Sequence, residues 1–348
     1  GIKSAFTLYK SRIVPLHQYL IHASTRNAYV KSVLDHEKEG IVRIANQIRS
    51  QLNINLDTTT TPHLAGKLVA KASITQRKES FQNKSMHGYI PRQLQSTPGV
   101  DITRSLSWPK DRLMSSHFEG YANAIQEQEI FTKVLVNSRL KPQGNLDNKC
   151  RLCKHKFEDI SHVIAGCEMM AKRYYLPLRH DVVAKTIWNS MHKIESPNWK
   201  YDKDLDKTQN EGHISVQSGM EYWWNIPIKT CSKVKHNRPD IVVWDHESKE
   251  CTIIEISCPL DVNIVAKETE KINLYGPLIR NMQLMYHGYK FKFIPIIIGA
   301  TGYVTSNLTV YLKELGFTNQ RKVENLARKL QIITISDTVK ITKTFLHF

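Results

Sequence analysis

The stretch Arg238-Pro239-Asp240-Ile241-Val242-Val243-Trp244, followed by Asp245-His246-Glu247-Ser248-Lys249-Glu250 and then Cys251-Thr252-Ile253-Ile254-Glu255-Ile256-Ser257, decides the fold. Its two apolar runs, 241–244 and 253–256, are short and rich in Ile and Val, as strands buried on both faces require. The polar residues between them read as a hairpin loop. With a four-residue loop at 246–249, Asp245 faces Glu250 and the ladder sets Asp240 opposite Glu255. Cross-strand partners share one face, with Cβ atoms roughly 4.5–5.5 Å apart. Two carboxylates held there among Ile and Val would repel each other and lose hydration. A divalent cation removes that penalty, and hard Mg²⁺ prefers carboxylate oxygen. Asp240 and Glu255 are therefore candidate Mg²⁺ ligands.

Downstream, Asp261 follows Pro259-Leu260 and is expected to N-cap a helix. On that helix Lys267, Lys271 and Tyr275 recur every four residues and share a face. A lysine aimed back at the carboxylates would polarise a phosphate or steady a hydroxide. Acids, metal and lysine together supply what phosphodiester hydrolysis needs. The plain alternative is a Val/Ile hairpin with stray acids and a solvated lysine face. Phe291–Ala300 reads as a further core strand, so 251–298 forms a strand–helix–strand crossover. Another strand is expected at 221–228 and closing helices from Ser306 onward and at 318–332. The class is α/β, a mixed sheet with helices on both faces.

A second motif lies upstream: Cys150-Arg151-Leu152-Cys153, then His162, then Cys167, spaced C-x2-C-x8-H-x4-C. Three thiolates and one imidazole satisfy tetrahedral Zn²⁺ with no open position, so the site should be structural. His155 is an alternative ligand, but only two residues past Cys153 its fit is strained. Gly166 suits a tight turn before Cys167.

The chain has 348 residues, 41% of them hydrophobic and 23% charged, which are globular values. A net charge of +17, with a pI near 9.5, favours a polyanionic partner, nucleic acid before membrane. No apolar run is long enough to span a bilayer, and residues 1–20 lack a signal-peptide core. The chain opens on Gly1, which reads as a fragment or processed product. Three of six cysteines sit in one metal-like cluster, pointing to a reducing compartment rather than a disulfide scaffold. The region to about residue 149 reads as mostly helical, with an amphipathic helix over 27–52 interrupted at Gly40. Thr61 and Pro62 start a basic helix carrying Lys67, Lys71, Arg77 and Lys78. Those cations are candidate phosphate contacts, although for any one of them a solvated helix face is the simpler account.

Pro239-Asp240 with Glu255 in the next strand resembles the PD-(D/E)XK nuclease superfamily, although that pattern wants lysine where this chain has Ser257. The restriction-like endonucleases of non-LTR retrotransposons share the Arg/Lys-Pro-Asp start and carry the lysine on the following helix. They also place a CCHC knuckle directly before the nuclease. The chain is similar to these over roughly 145–302. The resemblance implies a restriction-endonuclease-like mixed sheet flanked by helices, preceded by a zinc knuckle and a mostly helical N-terminal region. It implies boundaries at 1–149, 150–185, 186–305 and 306–348. It makes Lys271 the first choice for the catalytic lysine and Lys267 the second, with Asp240 and Glu255 on Mg²⁺ and Arg238 beside the DNA. Arg179-His180-Asp181 fits a stretch such elements show, which makes Asp181 a candidate third acid. Asn225 stands where relatives carry an acid. The implied activity is nicking of chromosomal DNA in the nucleus, so that the freed 3′-hydroxyl primes reverse transcription. The element's RNA is a second candidate partner. Two rival readings are a non-cleaving nucleic-acid-binding module of a retroelement and a host restriction or junction-resolving nuclease.

Overall fold

In the computed structural model, Asp245 turns the central hairpin: its Oδ1 accepts the backbone N–H groups of Glu247 (3.0 Å) and Ser248 (2.9 Å). Lys249 closes the loop with φ of 55°. The turn fixes the register of β3 (Ile241–Asp245) against β4 (Glu250–Ser257), with Asp245 opposite Glu250 and Ile241 opposite Ile254. β1 (His213–Gln217), β2 (Met220–Trp224) and β5 (Lys290–Ile297) complete a five-stranded sheet in the order β1-β2-β3-β4-β5. The first three pairings are antiparallel and β4–β5 is parallel. A parallel pair needs a long crossover, and the helix Ile264–Met285 provides it.

The structure describes residues 5–36, 40–83, 92, 94, 95, 97–111, 114–140, 147–195 and 212–348. Two compact units divide the chain, Gly1–Gly88 and Tyr89–Phe348. The first contains α1 (Ala5–Ser24), α2 (Ala28–His36), α3 (Ile41–Gln51) and α4 (Pro62–Gln82) around Val14, Ala45, Ile48, Ala65 and Val69. Gly40 parts α2 from α3 with φ of 71°, and Thr61 Oγ1 caps α4 by accepting from Leu64 N–H. The described residues from 92 to 149 fall in the second unit, which also holds the cysteine cluster and the sheet.

In that second unit the main helices are α5 (Ser116–Gln126), α6 (Asp181–Glu195), α7 (Ile264–Met285), α8 (Leu308–Glu314) and α9 (Gln320–Leu346). Alternation along the strands sends Ile241, Val243, Ile254, Ile256 and Ile294 to the face covered by α6, α8 and α9. Val242, Trp244, Cys251 and Ile253 point to the other face, under Tyr275, Leu278 and Met282 of α7. Helices thus flank a mixed sheet on both sides. β4 is buried on both faces over Ile253–Ile256, which is why Ile dominates its centre and makes the buried Glu255 stand out.

α9 runs past the 318–332 expected for it. Its second half, Ile332–Thr344, is rich in β-branched residues that favour strands in isolation. Tertiary burial overrides that preference. Thr334 and Thr342 return their hydroxyls to the carbonyls of Leu330 and Thr338, and Thr338 Oγ1 donates to the Ala300 carbonyl (2.6 Å). The first half of α9 packs on the sheet; Ile335, Val339, Ile341 and Phe345 pack around the cysteine cluster.

Asp261 does not cap the crossover helix. It is fully buried, and its carboxylate accepts the N–H groups of Thr301 (3.0 and 3.1 Å) and Tyr303 (3.2 Å). A Cβ on Gly299 would overlap Asp261 Oδ1, so the loop after β5 requires glycine there. Burial pushes the Asp261 carboxyl up to about 6, with the backbone N–H groups opposing. A raised carboxyl contributes stability that is complete below its unfolded pKa, near 3.8, and is lost as pH rises through about 6. Asp261→Asn should therefore flatten the stability profile between those values. Relative to wild type, about 2 kcal/mol of pH-dependent loss should disappear in urea titrations compared at pH ~4.5 and ~7.

Candidate metal and carboxylate sites

Lys149 bridges Phe157 and Cys150 N–H donates to the Lys156 carbonyl (2.7 Å), folding 149–157 into a small hairpin. Lys154 takes a left-handed φ of 60°, and Leu152 N–H points at Cys150 Sγ (3.4 Å). Glu158, fully buried, accepts Arg151 N–H (2.8 Å), the Arg151 guanidinium (2.7 and 3.0 Å) and Lys133 N–H (3.0 Å). Burial opposes its charge, but these donors hold its pKa below the ordinary glutamate value. Asp159 then caps the turn carrying His162 by accepting its N–H (2.7 Å).

These turns bring Cys150, Cys153, His162 and Cys167 together, all buried, with one ligand atom of each within 4.8 Å of the others. Cys150 and Cys167 Sγ are 3.9 Å apart, and Cys153 Sγ lies 3.4 Å from His162 Nε2. Tetrahedral Zn²⁺, with Zn–S of ~2.3 Å, sets its thiolates about 3.8 Å apart. The donor set and spacing fit a metal ion such as zinc. Burial, then the neighbouring Cys150, pushes the Cys167 thiol up to about 11. A cation at the centre would reverse that shift. The alternative ligand His155 is exposed and stands outside the cluster.

The second cluster gathers at the open end of the β3–β4 hairpin. Counting back along each strand, Asp240 shares a face with Val242 and Trp244, and Glu255 with Ile253 and Cys251. This is the α7 face. Glu255 Oε2 accepts Asp240 N–H (3.3 Å), and Asp240 Oδ2 accepts Ile256 N–H (2.7 Å). Lys271 on α7 donates to Glu255 Oε1 at 2.6 Å. One turn on, the Tyr275 hydroxyl donates to the Arg238 carbonyl (3.4 Å) and helps hold Glu255 ionised. Burial, then the charge of Asp240, pushes Glu255 up to about 6 against the pull of Lys271.

The structure does not bring Lys267 to these acids. Its ammonium pairs with Glu270 on its own helix at 2.7 Å. Asp181 reaches Asp240 only through His180, whose Nδ1 lies 2.9 Å from Asp181 Oδ1 and whose Nε2 lies 3.2 Å from Asp240 Oδ2. Burial opposes a charge on this imidazole, but the two carboxylates outweigh it and hold His180 well above the ordinary histidine value. Sequence reasoning assigns no role to His180; its place between Arg179 and an acid is the only signal. Asn225 sits beside Asp240 through its backbone. It adopts φ of 50°, its N–H donates to the Asp240 carbonyl (2.8 Å), and its own carbonyl accepts Arg238 Nε (2.9 Å). Ser257 ends β4.

Beside the cysteine cluster lies a cleft of roughly 780 Å³, lined by His155, Lys156, Phe157, His162, Cys258 and Lys267 among others; Asp240, Glu255 and Lys271 are not in its lining. Phe157 is 65% exposed there. Lys67, Lys71, Arg77 and Lys78 are exposed on α4 of the first unit, and Arg238 is exposed at the start of the hairpin. No helix among the described residues is long and apolar enough to cross a membrane.

No protein-family model matches the chain, and no curated protein is significantly similar to it.

Purified protein should contain one zinc ion per chain by elemental analysis. Cys167→Ser and His162→Ala should each forfeit much of the roughly 10–16 kcal/mol that structural zinc sites supply. Competition with a chromophoric chelator checks this, and zinc affinity equal to wild type in both variants would contradict the assignment.

Proposed function

We propose that the Tyr89–Phe348 unit is a metal-dependent DNA endonuclease of the PD-(D/E)XK type with its lysine displaced to the following helix. On this reading the Cys150/Cys153/His162/Cys167 segment is a structural zinc knuckle, and the sheet is a restriction-like nuclease core. The observation that carries the reading is the carboxylate pair. Asp240 and Glu255 share one buried face and a hydrogen bond, with Lys271 brought to Glu255 from the crossover helix.

Mg²⁺ bound by Asp240 and Glu255 would supply charge neutralisation and water activation. The chain's own groups do the rest. β3 and β4 hold the two carboxylates at fixed separation, and Ile256 N–H orients Asp240. Lys271 exchanges Glu255 for the scissile phosphate, where its ammonium stabilises charge developing on the non-bridging oxygens. His180 steadies Asp240 through its Nε2 contact with Oδ2. Lys156 and Lys267 line the cleft beside the cysteine cluster, where they would meet a phosphodiester backbone. The resemblance extends the proposal to a non-LTR retrotransposon origin, with chromosomal DNA as target, element RNA as second partner and the nucleus as site of action. The basic face of α4 and Arg238 would add phosphate contacts.

One observation favours a second reading. Both acids already face protein cations, Glu255 facing Lys271 and Asp240 facing His180. Such a neutralised pair would also suit a nucleic-acid-binding module that no longer cuts.

Supercoiled plasmid with Mg²⁺ or with EDTA separates the two. Wild type should nick only with Mg²⁺, and Asp240→Ala should abolish nicking. Lys271→Ala should slow single-turnover cleavage roughly 10²–10³-fold, while Lys267→Ala stays within severalfold of wild type. Binding without Mg²⁺-dependent nicking would select the second reading.

DNA affinity should fall steeply with salt under either reading. Replacing Lys67, Lys71, Arg77 and Lys78 together by Ala should shrink the slope of log affinity against log salt by about 0.9 for each phosphate that the helix no longer neutralises. An unchanged slope would remove α4 from the interface.

A further inference from the structure

Arg179 is only 1% exposed, yet its guanidinium touches three separate parts of the second unit. Nη1 donates to the Ile164 carbonyl (2.9 Å) and to Thr338 Oγ1 on α9 (3.0 Å). Nη2 donates to the Cys258 carbonyl (3.2 Å). Ile164 lies between the candidate zinc ligands His162 and Cys167, and Cys258 directly follows β4, which carries Glu255. One turn earlier, the Tyr175 hydroxyl lies on the carbonyls of Val163 (2.7 Å) and His162 (3.2 Å) and accepts Cys167 N–H (3.3 Å). The guanidinium sits 5.2 Å from the Tyr175 ring centre. The next residue, His180, engages Asp240.

A buried cation solvated by carbonyls cannot lose one of them cheaply. Leaving a buried charged donor without its acceptor costs more than the bond itself contributes. No carboxylate among the described residues pairs with Arg179, so the carbonyls of Ile164 and Cys258, with the Thr338 hydroxyl, are what hold it. A shift of the 162–167 turn therefore moves the guanidinium, and the backbone carries His180 with it. We infer that Arg179 is a positioning residue that couples the metal occupancy of the Cys150/Cys153/His162/Cys167 cluster to the placement of His180, and through it of Asp240. The consequence for cleavage rests on the endonuclease reading; the coupling itself is defined at the His180 ring.

The test uses the zinc-loaded chain with ¹⁵N-labelled histidine, the His180 ring signals being assigned by their absence in His180→Gln. Three samples are compared with it: wild type stripped by a zinc-selective chelator, zinc-loaded Arg179→Lys, and stripped Arg179→Lys. Stripping and Arg179→Lys should each shift the His180 ring resonances. Each should also weaken Mn²⁺ binding at Asp240 and Glu255 roughly 10–100-fold, as loss of an outer-shell partner does. Stripping Arg179→Lys should add little to either effect. Unchanged His180 signals on zinc loss, additive losses in the stripped variant, or a chain that never takes up zinc would overturn the inference. Where stripping melts the sheet, or Arg179→Lys does not fold, zinc-loaded Tyr175→Phe decides. It should shift the same resonances by a smaller amount, and no shift would overturn the coupling. A wild type whose His180 responds to zinc but which never nicks DNA keeps the coupling and sinks the endonuclease reading.

Discussion

Asp240 and Glu255 lie on one face of the sheet beside the apolar Val242, Trp244, Cys251 and Ile253, and electrostatics must settle the terms on which they stay. Two unit charges about 4 Å apart repel by about 4 kcal/mol at the effective dielectric of a partly buried site. Burial first, and that repulsion second, raise the pKa of Glu255 to about 6, so ionising it costs stability as pH rises through that value. Each side of the pair has acquired a compensating group. α7 crosses the sheet where Lys271 meets Glu255, and the chain entering α6 places His180 against Asp240. The hairpin loop at 246–249, the parallel β4–β5 pair and the length of the crossover all serve to bring those groups level with the acids.

The cysteine cluster and the sheet share a frame through α9 and Arg179. One half of α9 packs on the sheet and the other around the cluster, so neither region buries its apolar surface alone. Arg151 adds a tie, donating to the Leu346 carbonyl at the end of α9 (3.2 Å) and lying over the Phe345 ring. A metal at the cluster would thus stabilise more than its own short segment.

The hairpin is legible in the sequence because its information is local. Period-two patterning and a polar loop of countable length set the register, and the register alone brings Asp240 to Glu255. The cysteine cluster is legible for the same reason, since metal spacing is written along one short stretch. Lys267 shows where periodicity stops helping. A four-residue step puts two lysines on one helix face, but only the turn level with the acids reaches them, and Glu270 holds the other. Asp261 misleads because its partners, Thr301 and Tyr303, arrive from a loop some forty residues later. β1 is hard to read although Ser218-Gly219 between two alternating runs is a hairpin signal. Its exposed Ile214 and Val216 make a weak edge-strand pattern. The Thr- and Ile-rich end of α9 reads as strand in isolation and becomes helix only because a packed core surrounds it.

The proposed activity rests on one physical premise, that the Asp240–Glu255 pair shares a cation. Calorimetric titration of Mg²⁺ into zinc-loaded protein near pH ~6, the region in which Glu255 titrates, addresses it directly when run in two buffers of different ionisation enthalpy. The expected result is saturable binding accompanied by proton release, both lost in Glu255→Gln. Saturable heat that persists unchanged in that variant, or no binding in wild type, would contradict it.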